Sequence, residues 1–159
     1  MTNLRSMQVL VVEDSLDDIR ILRRALLEHG GVAILHIARD GEEALNYLMG
    51  GREQGDESGP QTPDLILLDL NLPRVDGIEV LRRVKSDKTL AMIPVIMFTS
   101  SAREEDVSRS YRLGTNTYIQ KPVEFQDYAR AIAVLDEYWT GFAKLPSSPG
   151  FTVDQAASA

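Results

Sequence analysis

Four short stretches of consecutive apolar residues constrain the fold of this chain more than any other feature: residues 9–12 (VLVV), 34–37 (ILHI, interrupted by His36), 65–68 (LILL) and 95–98 (VIMF). A strand with one wet face alternates apolar and polar residues. Three of these runs are apolar at every position, which is what a strand covered on both faces requires. A fifth, weaker run covers residues 117–120 (TYIQ). The runs read as strands of a parallel sheet.

Between them lie segments with helical spacing. Several open on a residue that can cap a helix with an acid three positions later: Ser15 with Asp18, Asp40 with Glu43, Asp76 with Glu79, and Ser101 with Glu104. The capping side chain accepts an otherwise unpaired backbone N–H, and the acid complements the helix dipole. The first helix carries Ile19, Leu22, Ala25 and Leu26 on one stripe and should stop at Gly30-Gly31, where a left-handed turn costs little. The last carries Phe125, Tyr128, Ala129, Ile132 and Leu135. The fourth, residues 103–113, has only Val107, Tyr111 and Leu113 as large apolar residues and should be the least firmly packed.

Strand and helix alternating five times indicate a doubly wound α/β domain, with right-handed crossovers placing helices on both faces. The length of 159 residues suits one such domain. We expect it to cover residues 1–139. Residues 50–63 (GGREQGDESGPQTP) read as an exposed loop, and residues 140–159 as a C-terminal tail too short for an output domain.

The balance of 17 Lys and Arg against 24 Asp and Glu leaves a formal charge of −7, unfavourable for general nucleic-acid binding. There is no Cys, which excludes disulfides, thiolate metal sites and cysteine nucleophiles. No apolar run approaches the roughly 20 residues of a bilayer span. These features predict a cytoplasmic protein.

Ligands of doubly wound sheets bind beyond the carboxyl ends of the strands. Here Glu13 and Asp14 follow the first run, Asp69 the third, Thr99 and Ser100 the fourth, and Lys121-Pro122 the fifth. Each alone has a bland explanation as a turn, cap or surface residue. Together they form a coherent set at one edge. Three carboxylates repel unless a cation lies among them, and oxygen-only ligation favours a hard divalent ion such as Mg2+. Lys121 and the Thr99 hydroxyl could hold phosphoryl oxygens, and Asp69 is the best-placed nucleophile.

At this point the motifs resemble a known family. Val-Val-Glu-Asp, Leu-Leu-Asp-Leu-Asn-Leu-Pro with Asp76-Gly77 beyond it, Met-Phe-Thr-Ser and Tyr-Ile-Gln-Lys-Pro are similar to the receiver domain of two-component response regulators, over about residues 8–138. The resemblance implies a flavodoxin-like sheet of order 2-1-3-4-5. It also implies Asp69 as phosphoacceptor and a Mg2+ site of Glu13, Asp14, Asp69 and the backbone carbonyl of Asn71. Thr99 and Lys121 would hold phosphoryl oxygens, and Thr99 with Tyr118 would form a switch. The Lys121-Pro122 bond would be cis. The implied donor is a sensor histidine kinase, and the implied protein is a signalling phosphoacceptor rather than an enzyme in the ordinary sense. Output would come through protein contact or onward phosphotransfer. The 50–63 loop, with Tyr138-Trp139, Phe142, Lys144, Leu145 and Pro146, further resembles the subgroup that serves phytochrome-type kinases. Trp139 and Phe142 either fold back on the last helix or form part of a homodimer contact.

Two rival readings fit the residues less well. An aspartyl phosphohydrolase on a related sheet would place a second acid two residues after the nucleophile, where this chain has Asn71. A nucleotide-binding module would need a Gly-rich loop where Glu13-Asp14-Ser15 stands. A phosphate-independent binding module is a third alternative. His29 and His36 require no functional reading.

Overall fold

A computed structural model describes residues 6–29, 31–50 and 62–146. Its elements run β1 (Met7–Val12), α1 (Leu16–His29), β2 (Val32–Ala38), α2 (Gly41–Met49), β3 (Leu65–Leu68), α3 (Gly77–Ser86), β4 (Val95–Thr99), α4 (Glu104–Leu113), β5 (Thr117–Gln120) and α5 (Phe125–Glu137). A 3-10 turn (Leu90–Met92) precedes β4, and a π-helical turn (Tyr138–Phe142) extends α5. The strands form one sheet in the order β2-β1-β3-β4-β5, every neighbouring pair parallel. This is the expected flavodoxin-like order.

The unbroken apolar runs of β1, β3 and β4 are buried on both faces because alternate residues serve two different cores, while β2, at the sheet edge, is half-buried. Leu10, Val12, Ile66, Leu68, Val95 and Met97 pack against Ala44, Leu45 and Leu48 of α2 and Ile78, Leu81 and Val84 of α3. On the opposite face Val9, Val11, Leu65, Leu67, Ile96 and Phe98 meet Leu22, Ala25 and Leu26 of α1 and Tyr128 and Ile132 of α5. Two of the predicted strands lengthen, since β1 begins at Met7 and β2 spans Val32–Ala38. Pairing skips Leu35, a bulge between Ile34 and His36.

Three of the four predicted helix starts are formed as expected. The Asp18 N–H donates to Ser15 Oγ at 3.3 Å, the Glu43 N–H to Asp40 Oδ1 at 2.7 Å, and the Glu79 N–H to Asp76 Oδ1 at 2.9 Å. The fourth differs. Arg103 occupies the cap position of α4 without a side-chain bond of its own; the Ser101 hydroxyl donates to Asp106 Oδ2 at 2.6 Å and accepts the Arg103 N–H at 3.3 Å. Ser110 is the only buried residue of α4, in keeping with its weak apolar pattern.

Trp139 packs on the α1/α5 core, whereas Phe142 is exposed. Gly30 of the expected glycine turn, the side chain of His29, residues 51–61 of the loop and residues 147–159 of the tail lie outside the described residues. Among the described residues no helix is long and apolar enough to cross a membrane.

Candidate functional site

The site begins where the sheet's ladder overruns its strands. The Glu13 N–H donates to Ala38 O at 3.0 Å, the Asp69 N–H to Val12 O at 3.0 Å, and the Lys121 N–H to Thr99 O at 2.7 Å. Residues one step beyond three strands therefore inherit the geometry of the sheet. Side chains of Glu13, Asp69 and Lys121 are all more than nine-tenths buried. Beneath them the Phe98 ring lies 6.0 Å from Lys121 Nζ and meets Tyr128 edge to face at 5.0 Å. An apolar floor of this kind excludes water and strengthens every charge interaction above it.

The ammonium of Lys121 donates to Glu13 Oε2 at 2.5 Å, Asp18 Oδ2 at 2.8 Å and Asp69 Oδ2 at 3.0 Å. Burial works against its charge, but the hydrogen bonds to Asp18 and Glu13 and the charge of Asp69 outweigh it, raising Lys121 above the ordinary lysine range. Glu13 is pushed up to about 7, chiefly by burial, although the Lys121 bond pulls the other way. The repulsion of Asp69 adds to the rise. The remaining oxygen of Glu13 accepts the Ser15 N–H at 3.0 Å, and Asp69 Oδ1 accepts the Asn71 N–H at 3.3 Å.

Carboxylate oxygens of Glu13, Asp14 and Asp69 lie within 4.8 Å of one another. All three donors are hard anionic oxygens, and one of them is disfavoured as an anion while it stays buried beside another. The set fits a hard divalent cation better than it fits its own company. Such an ion, when bound, neutralises charge on an incoming phosphoryl group.

Thr99 is fully buried at the end of β4, its Oγ1 accepting the Ser101 N–H at 3.4 Å. Tyr118 on β5 donates its hydroxyl to the Ser101 carbonyl at 2.8 Å, and its own N–H reaches the Tyr111 hydroxyl at 3.2 Å. Burial raises the Tyr118 phenol above its ordinary value. Thr99 and Tyr118 thus meet on one short loop, residues 100–103. The Asn71 side chain is exposed.

The response regulator receiver domain family matches residues 9–133. The chain belongs to this family. It is 37% identical over 140 residues to the response regulator Rcp1 of Synechocystis, covering 88% of this chain and 93% of Rcp1. The Mn(2+)-bound form of Rcp1 superposes with a TM-score of 0.76, at 38% identity, over 89% of this chain and 99% of that one. The phosphorylated cyanobacterial phytochrome response regulator RcpA superposes with a TM-score of 0.81 at 40% identity, over 90% of this chain and all of RcpA. The probable methanogenesis regulatory protein FilR2 of Methanothrix harundinacea is 36% identical over 138 residues, 87% of this chain and 86% of FilR2. The protein is therefore a receiver response regulator, of a family that is phosphorylated, binds divalent cations and takes its signal from sensor histidine kinases.

One expectation is corrected. The Lys121-Pro122 peptide is trans, as are all the described peptide bonds. Trans is the default for X-Pro by about 0.5–1 kcal/mol, and with it Lys121 already reaches all three carboxylates. The fourth carboxylate at the site, Asp18, escaped the sequence reading because its spacing from Ser15 explained it as a capping acid. Arg74 was missed as well. Its φ of 66° lies in the left-handed region, and its guanidinium joins the β3–α3 loop to α2 through Glu42 at 3.0 Å and Asp40 at 3.7 Å.

Proposed function

We propose that Asp69 accepts a phosphoryl group from the phosphohistidine of a sensor kinase, with Mg2+ held by Glu13, Asp14, Asp69 and the Asn71 carbonyl. The observation that carries this reading is the placement of a buried Asp69 between the Lys121 ammonium and two further carboxylates. In the transfer the donor P–N bond breaks as a bond from phosphorus to an Asp69 oxygen forms, and the imidazole leaves with the electron pair. Lys121 and the Thr99 hydroxyl hold phosphoryl oxygens as the charge spreads over them. Thr99, at the Ser101 N–H, and Tyr118, at the Ser101 carbonyl, carry the change to α4, the helix with a single buried residue. Autodephosphorylation resets the protein.

The receiver occupies residues 1–139 in this proposal, acts in the cytoplasm, and signals by protein contact or onward phosphotransfer. Likeness to RcpA, a phytochrome response regulator, supports a phytochrome-type kinase as donor. Val134, Tyr138 and Phe142 are 58%, 52% and 74% exposed, which supports a homodimer contact along α5 and the π-helical turn. Sedimentation showing only monomer at high micromolar concentration, with and without phosphorylation, would remove that contact.

The reading is tested by incubating the protein with acetyl phosphate, with and without Mg2+, and weighing it intact. One phosphoryl group should be gained only with Mg2+ and only by the wild type, not by Asp69→Asn. Labelling retained in Asp69→Asn would displace Asp69 as acceptor.

A further inference from the structure

We propose that Asp18 is a positioning residue for Lys121, the anchor that keeps its ammonium aimed at the phosphoryl group. This rests on the reading of Asp69 as phosphoacceptor. An ammonium has three protons, and Lys121 gives them to Glu13, Asp18 and Asp69. Two of those acceptors, Glu13 and Asp69, belong to the trio that fits a cation, and Asp18 does not. When a cation draws the trio and Asp69 carries a phosphoryl group, Lys121 must turn one proton toward a phosphoryl oxygen. Asp18 is the carboxylate left to hold the amine while it does so.

Both ends of this pair are fixed by backbone. Asp18 sits in the first turn of α1, where the helix dipole favours its charge, and its N–H is tied to Ser15 Oγ. The Ser15 N–H in turn holds Glu13. At the other end the Lys121 N–H is bonded to Thr99 O. A four-carbon stem held at its tip loses less freedom at the moment of transfer than a free one, which is the advantage of a prepositioned group.

The neighbouring Asp17 supplies the control. It lies in the same first turn and carries the same charge, but its side chain is 89% exposed and its ion pair is with Arg20 at 3.8 Å. Removing either charge changes net charge and helix dipole alike. Only Asp18 touches Lys121.

The experiment compares wild type, Asp17→Asn, Asp18→Asn and Asp18→Glu as full chains. In metal-free protein, the 1H–15N signal of the Lys121 ammonium, slowed in exchange by its hydrogen bonds, should persist in wild type and Asp17→Asn and vanish in Asp18→Asn. With Mg2+, phosphorylation of Asp18→Asn by acetyl phosphate should slow roughly tenfold, the lower end of the loss when an outer partner of a metal site is removed. Its Mg2+ affinity by calorimetry should stay within about twofold of wild type, and Asp18→Glu should give an intermediate rate. An unchanged rate in Asp18→Asn, a loss matched by Asp17→Asn, or a loss explained entirely by weaker Mg2+ binding would each overturn the proposal. Failure of the wild type to gain a phosphoryl group would instead overturn the reading of Asp69, and the ammonium signal would then decide the Asp18 contact alone.

Discussion

Replacing Gly77 by alanine should damage both stability and phosphorylation, and the structure sets the size of the effect. Gly77 opens α3 directly beneath Asp69, its N–H bonded to Leu70 O at 2.8 Å. An added Cβ would lie 2.1 Å from Asp69 O, 2.7 Å from Leu70 Cα and 2.9 Å from the Asp69 carbonyl carbon. All three are backbone atoms, so no side chain can rotate out of the way. The start of α3 and the end of β3 must separate, by on the order of 1 Å in an interior packed as densely as a crystal. Overpacking of this kind costs about 1–3 kcal/mol, and backbone obstruction places Gly77 at the upper end. The helix propensity of Ala returns up to about 1 kcal/mol, leaving a net loss of about 2 kcal/mol. For a domain of this size that corresponds to a fall in Tm of roughly 4–8 °C. Displacing Asp69 also takes its carboxylate from Lys121, now 3.0 Å away, and a shift near 1 Å can slow a positioned reaction by about 100-fold. Circular-dichroism melts of the metal-free protein and the acetyl phosphate assay measure the two losses. Gly141→Ala is the control, since nothing lies within 4 Å of its added Cβ, and its Tm should hold within about 1 °C. Gly77→Ala melting with the wild type and phosphorylating at the same rate would refute the reasoning.

Other outcomes follow from the same geometry. Adding Mg2+ or Mn2+ at about 100 times its dissociation constant should stabilise the fold by about 2.7 kcal/mol through mass action. Asp14→Ala should abolish this gain in melting temperature; if it persists, the cation binds elsewhere. Asp76→Ala removes the acceptor of the Glu79 N–H and should cost about 1 kcal/mol in urea unfolding. Trp139→Ala exposes part of the α1/α5 core and should cost about 2 kcal/mol. Phe142→Ser, at a residue 74% exposed, should leave stability within about 0.5 kcal/mol and lower the sedimentation-derived dimer fraction.

What could be read from the sequence, and what could not, divides along the backbone. Every apolar run lies within a strand, and in β1, β3 and β4 burial on both faces leaves consecutive residues no polar alternative. Site residues one step past those runs were equally legible, since Glu13, Asp69 and Lys121 continue ladder hydrogen bonds and their Cα positions follow from the sheet itself. Residues placed by helix phase and side-chain reach were not. Asp18 and Lys121 are 103 positions apart, and nothing in the spacing of Asp18 from Ser15 separates an acid that merely complements a dipole from one that also grips a buried amine. Ser101 failed in the opposite sense. It has the cap spacing, but its hydroxyl donates to the Asp106 carboxylate and its oxygen accepts the N–H of Arg103, which lies ahead of the helix, instead of one inside its first turn. Arg74 escaped for a third reason, a left-handed backbone that a loop containing Pro73 does not announce. The side chains hardest to foresee are thus those that fasten helices onto the strand ends: Asp18 joins α1 to β5, and Arg74 joins the β3–α3 loop to α2.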